Sequence, residues 1–242
     1  MSPRIDRVKS FFDQPFYLER SRLVIEIRSM IVQEFLGPID HSQILDLGCG
    51  DGSLSIPLLR EMNKVTMVDL SPRMLEIAAS RIPAGLGSRV QLINMPLDEF
   101  VPSTLYDVVL CIGVLAHVPS IEGALTKVAE CLKPGAVAIV EFAPTPSHLA
   151  GLFIPYYALR RLFSGDAQGY RTNRMSLGRL LRIAACHGLT LRRKRRHSFP
   201  LPGMAFWPNR VLQRYTMLTL NSRVLSKIGV EHIMLFTKDL AK

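Results

Sequence analysis

Ten residues constrain this chain more than any others: Ile44-Leu45-Asp46-Leu47-Gly48-Cys49-Gly50-Asp51-Gly52-Ser53. A short apolar run ending in alternate glycines reads as a buried strand entering a tight loop. Backbone without Cβ lets a ligand come close to the strand end, so the segment is a nucleotide-type site. A dinucleotide fingerprint, Gly-x-Gly-x-x-Gly, would put glycine at position 53, where this chain has Ser53. The spacing present is Gly48-x-Gly50-x-Gly52, which departs from a pyrophosphate loop.

The flanking sequence supplies the rest of a layered fold. Residues 18–36 carry apolar groups at helical spacing until Gly37-Pro38 stops them. Ser53 to Arg60 reads as a helix, Val65 to Val68 as a second strand, and Ser71-Pro72 opens a second helix with proline in its first turn. Val90 to Ile93 and Tyr106 to Ile112 are further strands. The latter is a near-continuous apolar run, as expected of a strand covered on both faces. Residues 120–132 form a helix, Lys133-Pro134-Gly135 a turn, and Ala136 to Phe142 a fifth strand. Strands alternating with helices predict a doubly wound parallel sheet. Beyond Ala143 the rhythm changes. Ser176 to His187 is a helix, the next strand contains Arg192 to Arg196, a helix lies near 209–227, and Glu231 to Thr237 is a last strand.

Composition bounds the class. The 242 residues are ample for one core, and 48% apolar content excludes a disordered chain. No apolar run is long enough to span a bilayer. The N-terminal residues lack an apolar leader core, and the four cysteines (Cys49, Cys111, Cys131, Cys186) lack metal-type spacing. Together these predict a cytoplasmic protein. The formal charge of +10 is divided: residues 1–150 carry a net −4 and residues 151–242 a net +14. The basic half predicts an anionic partner, nucleic acid or a membrane surface.

Four ordered segments carry a family resemblance. LDLGCGDG at 45–52, VTMVDLSPRMLEIA at 65–78, YDVVLCIGVLAHVP at 106–119 and LKPGAVAIVEF at 132–142 resemble the signatures of the class I S-adenosylmethionine-dependent methyltransferases. The resemblance implies a Rossmann-like, doubly wound α/β sheet of seven strands with the last antiparallel. It implies an N-terminal helical cap over residues 1–37 and a cofactor-binding core over 38–143. Residues 144–242 would complete the core and carry an inserted basic and apolar acceptor lobe. The cofactor implied is S-adenosyl-L-methionine. Asp69, 21 positions after Gly48, can take both ribose hydroxyls, its alternative being a helix-capping acid before Ser71-Pro72. The resemblance assigns Asp46 and the backbone of Gly48, Cys49, Gly50 and Gly52 to the methionine end. Leu70 and Met74 would border adenine, and Cys111 with Ile112 would touch the methionine part through backbone. The family's acid after the third strand is missing from Ile93-Asn94-Met95-Pro96-Leu97-Asp98. Asn94 or the backbone at Met95 is the favoured substitute, with Asp98 reaching back as the alternative.

His117, just past the fourth strand, stands at the sheet edge where open α/β sheets hold ligands. It is a candidate base for a hydroxyl acceptor, or a residue that orders its loop. The stretch Cys111-Ile112-Gly113-Val114 lacks the Asn-Pro-Pro-Tyr type of motif carried by amino methyltransferases, which tilts the expected acceptor towards oxygen or carbon. His148, His187, His197 and His232 are scattered and read as ordinary surface or core histidines, and no metal is expected. Residues 149–163 and 200–208 place large apolar groups where a lid over an apolar acceptor, an interfacial segment on a membrane, or packing against the sheet would each use them. The basic run at 192–196 reads as an anion-binding stretch or as an edge strand that uses charge to block aggregation. The function expected is methylation of an apolar quinone-, polyketide- or lipid-like small molecule. The alternatives are methylation of RNA and a cofactor-binding, non-catalytic partner subunit.

Overall fold

The computed structural model describes residues 3–13, 16–144, 173, 175–198, 204, 207–222 and 229–240. Two helices precede the sheet, α1 (Pro3–Phe12) and α2 (Phe16–Leu36). The sheet is built from β1 (Gln43–Leu47), β2 (Lys64–Asp69), β3 (Val90–Asn94), β4 (Tyr106–Cys111), β5 (Leu132–Phe142), β6 (Leu189–His197) and β7 (Glu231–Lys238). Between them lie α3 (Pro72–Arg81), α4 (Ile121–Glu130), α5 (Leu177–Cys186) and α6 (Asn209–Asn221). The strand order is β3-β2-β1-β4-β5-β7-β6. β7 runs antiparallel to both neighbours and every other pairing is parallel.

Burial on both faces explains the apolar central strands. Ile44, Leu45 and Leu47 of β1 are fully buried, and alternate residues feed two cores. One core packs α2 and α3 against the sheet through Ile27, Ile31, Leu75 and Ala78. The other packs α4 and α5 through Leu125, Val128, Leu180 and Ala184. The helices start where short polar side chains cap them: Ser71, Ser120 and Ser176 accept from the amides of Met74, Gly123 and Arg179.

Three local expectations change. Ser53 to Arg60 is not a helix; it is a series of turns with one 3-10 turn at Ile56–Leu58. Pro57 lacks an amide donor and disfavours helical backbone at Ile56, so the apolar spacing cannot propagate. Lys133-Pro134-Gly135 lies inside β5 rather than before it. Leu132 pairs with Tyr106 and Val137 with Val108, so the residues between bulge outward. The bulge is held by Lys133 Nζ, which bonds both Asp107 carboxylate oxygens at 2.8 and 2.9 Å. Finally, α1 is a helix that periodicity did not single out.

β6 is the sheet edge, and its basic run divides by strand alternation. Arg193 and Arg195 both reach Glu34 of α2, at 3.0 and 3.4 Å, and Arg193 also stacks over the Phe35 ring at 4.6 Å. Arg192 and Lys194 are exposed. The 149–163 segment lies outside the described residues, as does most of 200–208. There Trp207 meets Tyr215 of α6 edge to face, with ring centroids 5.5 Å apart. Among the described residues no helix is long and apolar enough to cross a membrane.

Candidate active site

The carboxyl ends of β1, β2 and β4 open on a cleft of about 1150 Å³, part of it open to solvent. Its polar wall is the loop after β1 (Gly48 to Asp51 with Ser53) and Asp69 at the end of β2. Apolar side chains also line it, with Ile5, Val8 and Phe12 of α1, Ile25 of α2 and Val114 after β4, beside the basic Lys9 and Arg28. Leu70, Met74, Met95, Leu97 and Asp98 line one end, and Ile112, Gly113 and His117 another.

The glycine loop is specified by space and by backbone sign. Gly48 has φ of +78°, and a Cβ there would stand 2.3 Å from Val114 Cγ2. The loop's amides are spent within the protein. Gly48 and Cys49 donate to Val68 O, Gly52 donates to Cys49 O, and Gly50 donates to Asp69 Oδ2 at 2.8 Å. A phosphate cradle needs such donors aimed at the ligand from a helix N-terminus, and here neither the donors nor the helix is offered. The chemistry left to this wall is acidic. Asp69 Oδ1 also accepts from the Ser71 amide at 2.8 Å. Burial pushes the Asp69 carboxyl up, while the Ser71 and Gly50 amides pull the other way.

Asp46 stands behind the loop rather than on the cleft wall. It is 1% exposed, and its Oδ2 has no hydrogen-bond partner. Burial pushes its carboxyl up to about 7, against the smaller lowering by Ser55, and Asp69 and Asp51 add to the rise. An unpartnered buried carboxylate oxygen suits a cationic or N–H-bearing ligand and repels a phosphate. The donor set therefore fits a sulfonium nucleoside bearing an amino-acid end. Asp51 is balanced by Arg81, which also bonds Ser53 Oγ at 2.8 Å. Burial pushes the Cys49 and Cys111 thiols up, so neither is a thiolate nucleophile.

The residues singled out from sequence fall into two groups. Gly48, Cys49, Gly50, Asp69, Leu70, Met74, Met95, Ile112 and His117 all line the cleft. Asp46, Gly52, Asn94 and Cys111 do not. Asn94 turns its amide group onto Asp69 O and Leu70 O at 2.9 and 3.0 Å. The Met95 amide is likewise spent on Asp69 O at 3.1 Å. Asp98, the alternative acid, is on the wall.

The N-terminal cap and two further side chains add contacts that the motifs do not give. The α1 helix covers the cleft and is tied at its end, where Asp13 takes bonds from Ser71 Oγ and from Arg73. Phe12 packs edge to face on the His117 ring, with centroids 5.1 Å apart. Arg28 of α2 reaches the cleft beside Gly113. Its signal was available, since it is a cation within the apolar stripe that includes Ile25, Ile27 and Ile31. His197 is no ordinary core histidine, because its Nε2 meets Glu141 Oε1 at 2.8 Å in the interior.

Residues 45–138 match the family model of a methyltransferase domain. Over those residues the chain is similar to methyltransferase domains. It is similar to the ubiquinone biosynthesis O-methyltransferase of Rickettsia canadensis (strain McKiel), 27% identical over 123 residues, covering 50% of this chain and 52% of that one. It is also similar to the demethylmenaquinone methyltransferase of Tropheryma whipplei (strain Twist), 34% identical over 147 residues, covering 57% and 59%. The chain thus spans about half the length of the curated relatives it matches. In fold, it resembles the magnesium protoporphyrin IX methyltransferase of Synechocystis PCC 6803 with bound SAH. There the TM-score is 0.64 at 18% identity, over 98% of this chain and 95% of that one.

Proposed function

We propose that this protein transfers a methyl group from S-adenosyl-L-methionine to an oxygen or carbon of an apolar, quinone-like small molecule. The observation that carries this reading is one cleft lined both by the glycine loop with Asp69 and by apolar side chains of α1, α2 and Val114, with His117 among its lining residues. The names of the two relatives, one in ubiquinone biosynthesis and one for demethylmenaquinone, support the quinone-like class.

When bound, S-adenosylmethionine supplies an activated methyl group on a cationic sulfur. The chain's own residues hold and orient. Asp69 keeps a lone pair on each oxygen beyond its bonds to Gly50 and Ser71, enough for two ribose hydroxyls. Asp46 and the Gly48–Gly52 backbone serve the amino-acid end, and Arg28 complements its carboxylate. Leu70 and Met74 border adenine, and Ile112, with the Cys111 backbone behind it, flanks the methionine chain. Asp98, rather than Asn94 or Met95, is the acceptor for the adenine amine, because it alone of the three brings an uncommitted acid to the wall. Phe12, Val8 and Val114 exclude water from the acceptor side. His117 takes the proton from an acceptor hydroxyl as the oxygen attacks.

Calorimetry with S-adenosylhomocysteine tests the cofactor site. Asp69→Ala should weaken binding by about 50-fold or more, the loss of two charge-assisted bonds; unchanged affinity overturns the assignment. A methyl-transfer assay with labelled cofactor and hydroquinone-type acceptors tests the reaction. There His117→Ala should cut kcat by about 100-fold and leave cofactor affinity within about 2-fold.

A further inference from the structure

A row of linked polar side chains runs from the cleft to the β6–β7 edge. Arg28 grips Glu141 with both arms, Nε to Oε1 at 2.9 Å and Nη2 to Oε2 at 2.7 Å. His197 Nε2 meets the same Oε1 at 2.8 Å from the other side. Glu141 is 5% exposed and His197 1%. Beyond the imidazole, Nδ1 faces Ser198 Oγ at 2.9 Å, and the Ser198 hydroxyl donates to Glu231 Oε2. A Glu141 carboxylate can only accept, so Nε2 is the ring nitrogen that donates to it.

The backbone is bent to keep this row. Ser198 holds φ at +62°, a left-handed conformation unusual for a residue with a side chain. Gly229 lies so close that a Cβ would stand 2.6 Å from His197 O and 2.8 Å from His197 N. Glu141, His197 and Glu231 do bring one ligand atom each within 4.8 Å of one another. Both Glu141 oxygens, however, already face the Arg28 guanidinium, whose fixed charge occupies the place of a cation.

We infer that His197 is a positioning residue: through Glu141 it fixes the direction of the Arg28 guanidinium beside Gly113, and so the site for the anionic end of the bound ligand. This rests on the proposed pairing of Arg28 with the cofactor's carboxylate. Long cationic side chains lose much rotamer freedom on being ordered, and a clamped guanidinium has lost it before the ligand arrives.

The test uses the full chain and two probes: S-adenosylhomocysteine, and 5′-methylthioadenosine, which keeps the adenosine and lacks the amino-acid carboxylate. His197→Ala should weaken S-adenosylhomocysteine about 10-fold and leave methylthioadenosine within about 2-fold, as supporting partners typically act. His197→Gln, which restores one donor to Glu141, should recover most of the loss and serves if the alanine variant fails to fold. The Arg28 Nε–H resonance, identified by its disappearance in Arg28→Lys, should move in the His197 variant without any ligand. An unmoved resonance, or equal weakening of both probes, overturns the proposal. Arg28→Leu tests the underlying pairing separately. If it spares the selectivity between probes, that pairing fails, while the resonance still reports whether His197 positions Arg28. If it abolishes the selectivity and His197→Ala binds both probes normally, the positioning role fails alone.

Discussion

Asp46 and Glu141 are both carboxylates near the carboxyl ends of parallel strands, both almost fully buried, and their electrostatic states are opposite. Asp46 has an oxygen with no partner, and burial takes its carboxyl up to about 7. For Glu141 burial also acts upward and is the largest single influence, yet Arg28 and His197 together bring the group down to about 2. Depth alone therefore does not set the charge of a buried acid; compensation does. The comparison also separates roles. Glu141 is completed within the chain, as a structural ion pair is. Asp46 keeps an oxygen with no partner within the chain.

The largest expected effect removes the compensated acid. Glu141→Ala strands the Arg28 guanidinium and His197 in the interior and should destabilise the protein by about 3–5 kcal/mol in urea or thermal unfolding. A loss below about 1 kcal/mol would break the distinction, because Glu141 would then be as uncompensated as Asp46.

Acid titration separates the two carboxyls by sign. The folded pKa of Glu141 is depressed from 4.5 to about 2. Its contribution is therefore present above pH 4.5 and lost as the pH falls through about 2. Wild type should lose about 3 kcal/mol across that window through this group, and Glu141→Gln should flatten the curve there. Asp46 behaves in reverse, because its folded pKa is raised from 3.8 to about 7. The stability it contributes is complete below pH 3.8 and lost as the pH rises through 7. Asp46→Asn should accordingly raise stability by about 1–3 kcal/mol at pH 8 and leave it unchanged at pH 3. The same variant should bind S-adenosylhomocysteine about 10-fold more weakly, since the stabilised site has lost its ligand-directed charge. Stabilisation without loss of affinity would make Asp46 a structural residue only.

The smallest effect belongs to the exposed edge. Arg193→Ala removes a half-exposed pair with Glu34 and a stack on Phe35, and should cost no more than about 1 kcal/mol in the same unfolding measurement. A larger cost would place the β6 edge with the buried ion pairs rather than with the solvated surface.

Local backbone demands were readable along the chain. The alternate glycines at 48, 50 and 52 announce a tight loop; all three have positive φ, and Gly48 and Gly52 are also closely approached. Asp69 is legible because strand, loop and strand together bring the end of β2 beside the loop, and Gly50 bonds it directly. Continuous apolar runs gave the central strands for the same reason: burial on two faces leaves no polar alternation. Reading failed where a single residue overrode a period, as Pro57 does in 53–60. It failed again where pairing absorbed a turn, as Asp107 does for Lys133 at the β5 bulge.

The site's long-range chemistry was hidden for a different reason. Nothing near Asn94 in the chain shows that its amide group will cap the backbone of Asp69 and Leu70, leaving the wall to Asp98. Arg28 and Glu141 are 113 positions apart, and no local pattern pairs them. The sequence by itself determined the layered α/β sheet, the glycine loop and the acid at the end of β2, because hydrophobic period and φ preference act between neighbours. Only the tertiary structure decided which buried carboxylate is compensated and which keeps an unpartnered oxygen. A charge in a low-dielectric interior is governed by whatever the fold brings within a few ångströms of it.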